Sequence, residues 1–163
     1  MNSLAQAVDR SAWQQILDLG ERLAAQSTFT TQHELIVEAA ALLLEGQSEL
    51  WLSEVLQRLL EVEDSPSLSF PPEPPSDLMR RAIDARRTLL EERASPAVAA
   101  PLIATDAVLG VLEVRRSSAS PFSDTEVGLL QGLATQSAIA LQTTRQVAVE
   151  RWRVEQLSLV RTV

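Results

Sequence analysis

The chain has 163 residues, 45% of them hydrophobic and 22% charged, and its 14 basic against 22 acidic residues give a net charge of −8. That balance suits one folded domain with its own core and opposes nonspecific binding to a phosphate backbone, which needs clustered positive charge, so nucleic acid is not an expected partner. Cysteine is absent and all 14 basic residues are arginine, which excludes disulfides, thiolate metal sites, a cysteine nucleophile, Schiff-base chemistry and a phosphate-loop lysine.

Taken in chain order, Leu4, Val8, Ala12, Ile16, Leu19 and Leu23 recur at helical spacing and predict a first helix. Thr31-Gln32-His33-Glu34 fits a capping box for a second helix, with Ile36, Ala39, Ala40 and Leu43 on one face and Gly46 at its C-terminal cap. The next stretch reads two ways: Leu52, Val55, Leu56, Leu59 and Leu60 keep helical period, while Leu50-Trp51-Leu52 reads as extended. Pro66 to Pro75, with five prolines, is a loop. Ser76 can cap a third helix bearing Met79, Ala82 and Ile83, and Thr88-Leu89-Leu90 follows as a short strand.

Val98 to Leu102 and Val108 to Val114, around the turn Ala104-Thr105-Asp106-Ala107, predict a hairpin. Gly110 inside its second strand marks a bulge or a close approach by another element. Ser123-Asp124-Thr125-Glu126 is a second capping box and opens one long helix. Its first half presents Leu130, Leu133, Ala134, Ser137, Ala138 and Leu141 to a core. Beyond Arg145, Val147, Val149, Trp152, Val154, Leu157 and Leu159 stand among charges, as in a connector that needs a partner helix. Val127 to Thr144 is uncharged but too rich in Gln, Ser and Thr to span a membrane, and the N-terminus lacks a secretory pattern. No membrane insertion and a cytoplasmic location are expected.

Several segments together resemble the closing part of a GAF domain: Val98 to Val114 with Pro101-Leu102 and Gly110-Val-Leu112, then Phe122-Ser-Asp124-Thr-Glu126, then Leu133-Ala134 with Ala138-Ile-Ala-Leu141. The first two helices and Glu49-Leu50-Trp51-Leu52 resemble the family's opening. The resemblance implies an α/β (α+β) fold: a GAF/PAS-like central antiparallel sheet, terminal helices on one face, and room for a ligand pocket on the other. It also implies a second strand at Val55 to Val62, against the local period.

On the same basis residues 1–29 are an N-terminal connector helix, 30–145 the GAF core and 146–163 a connector to a downstream domain. Only Ala94-Ser95-Pro96-Ala97 stands where many members carry a longer pocket cover, and the Asn-Lys-x-Phe-Asp-Glu run of cyclic-nucleotide-binding members is missing. Covalent bilin and the family's oxidoreductase chemistry lack their cysteines, and haem is not expected; the cofactor is otherwise unknown. Trp51, Phe70, Met79, Ile83 and Val98 are the candidate pocket residues.

Other features have plainer readings. His33, the sole histidine, is expected to be solvated rather than a haem ligand or a base, and no Gly-x-Ser-x-Gly elbow supplies a nucleophile. Arg80-Arg81, Arg86-Arg87 and Arg115-Arg116 read as surface ion pairs rather than anion sites. Glu61, Glu63, Asp64, Glu91 and Glu92 fit no calcium loop and read as solvated edges; no metal ligands and no catalytic residues are assigned. Phe70-Pro71-Pro72-Glu73-Pro74-Pro75 reads as a stiff loop rather than a groove-docking polyproline helix. Trp13, Leu17, Val147, Trp152 and Val154 are the candidate dimer interface. Glu155 to Val163 resembles the first helix of a further GAF unit.

The expected function is a non-catalytic sensory or regulatory domain in signal transduction, such as a two-component system. It binds a small molecule or partner, pairs as a homodimer through coiled-coil-like terminal helices, and passes the signal to a downstream output domain. The alternative is a ligand-free dimerisation and spacer domain.

Overall fold

The computed structural model describes residues 2–62 and 74–161, in the order α1 (Asn2–Ala25), α2 (Phe29–Leu44), β1 (Gln47–Leu52), α3 (Glu54–Val62), α4 (Asp77–Ala85), β2 (Leu89–Glu91), β3 (Ala97–Ala104), β4 (Ala107–Arg115) and α5 (Asp124–Arg161). The four strands form one antiparallel sheet in the order β1-β4-β3-β2. Successive side chains of a strand point to opposite faces, and the sheet uses both. Leu50, Leu52, Val98, Ala100, Leu102, Leu112 and Val114 join the larger core with α2 (Ile36, Ala40, Leu44) and α5 (Leu130, Leu133, Ala134, Ala138, Leu141). On the other face Ala97, Ala99 and Val111 meet Leu78, Met79 and Ala82 of α4. Each leucine fully removed from water contributes about 2 kcal/mol, so the larger core dominates stability.

The hairpin forms as its sequence predicts. Thr105 and Asp106 both take left-handed φ, 48° and 64°, the arrangement that matches the twist of paired strands. Leu102 faces Gly110 but Ile103 faces Val108, so Leu109 is an extra residue in the ladder. A Cβ on Gly110 would strike the carbonyl oxygen of Trp51. Both the bulge and the close approach are therefore present.

Three expectations are corrected. Residues 55–62 are not a strand: they lie in the α3 helix, where Gln57 N donates to Ser53 O at 3.0 Å, Arg58 pairs with Glu54 at 2.6 Å and Leu56 is fully buried. The local helical period outweighs the family-derived strand. The α2 helix begins at Phe29, capped by Thr28, whose hydroxyl accepts the Thr31 N–H at 3.4 Å; Thr31 is inside the helix rather than its cap. At the other end the left-handed cap residue is Glu45, φ 50°, not Gly46. Glycine at 46 is required for space instead, since a Cβ there would stand 2.8 Å from Arg115 O and from Val114 Cγ1.

Candidate functional site

Two regions merit a functional reading: the sheet face under α4 and the terminal helices. Under α4, Trp51 and Ile83 pack against the cluster that buries Met79, so the structure brings these three candidate pocket residues together. Val98 points the other way. It is one residue out of phase with Ala97 and Ala99 and lies in the α2/α5 core, so it does not share a face with Trp51. Phe70 and most of the proline-rich segment fall outside the described residues, as do Glu63 and Asp64.

A carboxylate fixes α4 over the sheet. The Ser76 hydroxyl accepts the Met79 N–H at 3.1 Å, capping the helix, and donates to Glu113 Oε2 at 2.5 Å. Glu113 is buried, and its second oxygen accepts from Arg115 at 3.2 Å. Ala82, Ala97 and Ala99, all buried, let the helix lie close to the strands. Beside this, Glu91 is not a solvated edge: it is largely buried between Arg81 (3.9 Å), Arg93 (3.6 Å) and Arg115 (4.0 Å). The sequence signal for Glu113 was a lone charge inside an otherwise apolar strand.

The terminal helices run side by side. The Trp13 ring lies against Gly128 and Gly132 of α5, while Gly20 lets Gln136 approach. Ile16, Leu19 and Leu23 are buried along this side of α1, and Leu17 is exposed on another. The first half of α5 is buried through Leu141; Val147, Trp152, Val154, Leu157, Leu159 and Val160 are exposed, and every residue from Arg151 to Arg161 lies open. The five candidate interface residues are thus all at the surface, Trp13 43% and Trp152 61% exposed.

The entry to α5 is held by a residue that the sequence reading put at the surface. Arg116 is buried: Nε and Nη2 donate to Leu44 O at 3.0 and 2.8 Å, Nη1 donates to Pro121 O at 3.0 Å, and Nη2 meets Glu126 Oε1 at 2.5 Å. Its guanidinium also stacks over Phe122, 4.1 Å from the ring centre. Glu126 in turn accepts the Ser123 N–H at 2.8 Å while Ser123 Oγ accepts the Glu126 N–H at 3.2 Å, completing the expected capping box. Partial burial pushes the Glu126 carboxyl up, but the Arg116 and Ser123 hydrogen bonds outweigh it and hold the group below the usual carboxylate value.

His33 is likewise not solvated. It is half-buried, its Nε2 lies 3.3 Å from Leu50 O on β1, and burial lowers its pKa despite that carbonyl and Glu34. It serves the α2–β1 contact. Among the described residues no group of three or more His, Cys, Asp or Glu is placed to hold a metal ion, and no helix is long and apolar enough to cross a membrane.

The family model of the GAF domain matches residues 37–143. No curated protein matches in sequence. Among solved structures, the GAF domain of a phosphoenolpyruvate-protein phosphotransferase from Coxiella burnetii is similar over 86% of this chain and 98% of its own, with TM-score 0.65 and 12% identity. The GAF domain of the potassium sensor histidine kinase KdpD from Escherichia coli covers 83% and 96%, with TM-score 0.60 and 14% identity. The free methionine-R-sulfoxide reductase from Neisseria meningitidis, solved with its substrate, covers 81% and 89%, with TM-score 0.58 and 16% identity. At these identities the likeness is one of fold.

Proposed function

Because the chain belongs to the GAF family, we propose that it is a non-catalytic sensory or regulatory module that passes a signal through its terminal helices to an output domain. The observation that carries this reading is α5 itself. One continuous helix of 38 residues is core to Leu141 and then carries exposed Val147, Trp152, Val154, Leu157 and Leu159 away from the sheet. Large apolar side chains left exposed along a helix that leaves its domain mark a partner surface. We take that partner to be a second copy, with Trp13 and Leu17 of residues 1–29 and Val147, Trp152 and Val154 of residues 146–163 in the contact, and with the output domain beyond. A small rotation of paired helices is then the two-state element that a ligand biases, by no more than its difference in affinity for the two states. The similarity to a sensor-kinase GAF domain supports this, and the missing cysteines argue against redox chemistry in this chain.

The ligand side belongs on the α4 face, where Trp51, Met79 and Ile83 meet. A specific observation favours the second reading, a ligand-free spacer: α4 lies directly on Ala97, Ala99 and Val111, with Met79 fully buried. Native mass spectrometry of the purified chain separates the two. A dimer that retains a stoichiometric small molecule supports the sensor, whereas a bare dimer that takes up no small molecule supports the spacer.

A further inference from the structure

Gln32 is 1% exposed, in the first turn of α2, and reaches two other helices. Its Nε2 donates to Leu23 O, in the last turn of α1, at 3.1 Å and to Thr144 Oγ1 of α5 at 2.8 Å. Thr144 stands one turn beyond Leu141, the last fully buried residue of α5, and so marks the point where the helix leaves the domain. The same Leu23 carbonyl accepts the Gln26 N–H at 3.1 Å, which ties the α1–α2 turn into the junction. The Gln32 Oε1 atom is buried without a protein donor, although buried polar atoms are nearly always paired. Gln32 and Thr144 also line a cleft of about 80 Å³, together with Gly20, Ala24, Gln136 and Thr143. That is room for two waters at roughly 30 Å³ each.

We propose that Gln32 is a positioning residue that sets the direction in which α5 leaves the domain, by tying Thr144 to the end of α1. A dry, interdigitated apolar contact has one packing solution. A single amide bridging two helices beside a hydrated cleft instead lets Thr144 exchange its bond to Gln32 for a bond to water, so α5 can turn there without opening the core. This inference rests on α5 being the output helix. It assigns the turning point of that helix to one buried side chain rather than to the partner surface further along.

The chain has no cysteine, so two introduced cysteines are unique spin-label sites. Labels at Glu38→Cys on α2 and Glu155→Cys on the tail, diluted with unlabelled protein, report the intrachain distance; Glu38→Cys with Asp124→Cys is the control within the domain. Thr144→Val removes one tie and keeps the Gln32 bond to Leu23, and Gln32→Met removes both. Each is expected to broaden or shift the 38–155 distance distribution and to reduce amide-exchange protection after Thr144, while the 38–124 distribution stays as in the parent. If Gln32→Met impairs folding, Thr144→Val alone decides. An unchanged 38–155 distribution and unchanged exchange in a folded variant would overturn the assignment, as would equal changes at both distances. Because the distance lies within one chain, a protein that proves monomeric can still show the Gln32 effect, so failure of the pairing reading and failure of this one are told apart.

Discussion

The Trp13 indole occupies the space that a side chain at position 132 would need: a Cβ on Gly132 would stand 2.7 Å from Trp13 Cζ3 and 3.3 Å from Cη2. The glycine is therefore what lets α1 lie against α5 at this level. Gly128, one turn earlier, differs, since its added Cβ would meet Trp13 only at 3.9 Å, an ordinary contact.

The two glycines should respond with opposite sign. Gly→Ala in a helix gains about 1 kcal/mol of propensity, which Gly128→Ala keeps, so its urea midpoint should rise. At Gly132 the ring must move, and overpacking costs about 1–3 kcal/mol. Gly132→Ala should therefore lower the midpoint and alter tryptophan emission. Equal stabilisation by both changes would mean that Trp13 is not seated as described.

Gly110→Ala should be worse than either, because the added methyl meets the Trp51 backbone rather than a movable ring. A loss of roughly 2 kcal/mol or more is expected, with lost exchange protection along β1. A tolerated substitution would contradict the β1–β4 approach.

Arg116→Met should cost about 3–5 kcal/mol, as expected when one partner of a largely buried ion pair is removed, since Leu44 O and Pro121 O lose their side-chain donor and Glu126, left with the Ser123 N–H, loses its counter-charge. Arg116→Lys should restore little, because an ammonium cannot replace the planar fork or its stacking over Phe122. Chemical denaturation reads both, and full rescue by lysine would count against this geometry.

Acid should weaken the fold in two windows. His33 has its folded pKa below the ordinary 6.5, so the unfolded chain binds its proton first and stability falls as pH drops from about 6.5 towards the folded value. Glu126 has its folded pKa below the ordinary 4.5; its contribution is complete above that pH and is lost as pH falls through the lowered value. His33→Gln should flatten the first slope and Glu126→Gln the second. Urea midpoints across pH 3–8 check both, and a slope that survives its own substitution assigns it to another group.

What the sequence made legible were features whose cause is local. Ser76, the Ser123–Glu126 box, the Thr105-Asp106 turn and the apolar face from Leu130 to Leu141 carry their own physical reasons within a few residues, and all are found. The start of α2 is not fixed by local pattern, because Thr28 and Thr31 are both residue types that cap a helix and Glu34 completes a box only with Thr31. At residues 55–62 the helix follows the local apolar period, and the strand implied by the family resemblance does not form. Burial of Arg116, Glu113 and His33 depends on partners as far off as Leu44, 72 residues away in sequence, which no short pattern reveals. The candidate site was only partly legible: strand phase, known only once Ala97 and Ala99 are placed under α4, is what separates Val98 from Trp51.

The pairing of terminal helices is tested most directly by sedimentation equilibrium of the chain beside Trp152→Ala. The account predicts a dimer whose affinity falls about thirtyfold or more on losing the indole, the scale of an interface hot spot of about 2 kcal/mol. A parent chain that remains monomeric at high micromolar concentration, or a dimer indifferent to Trp152, would contradict it.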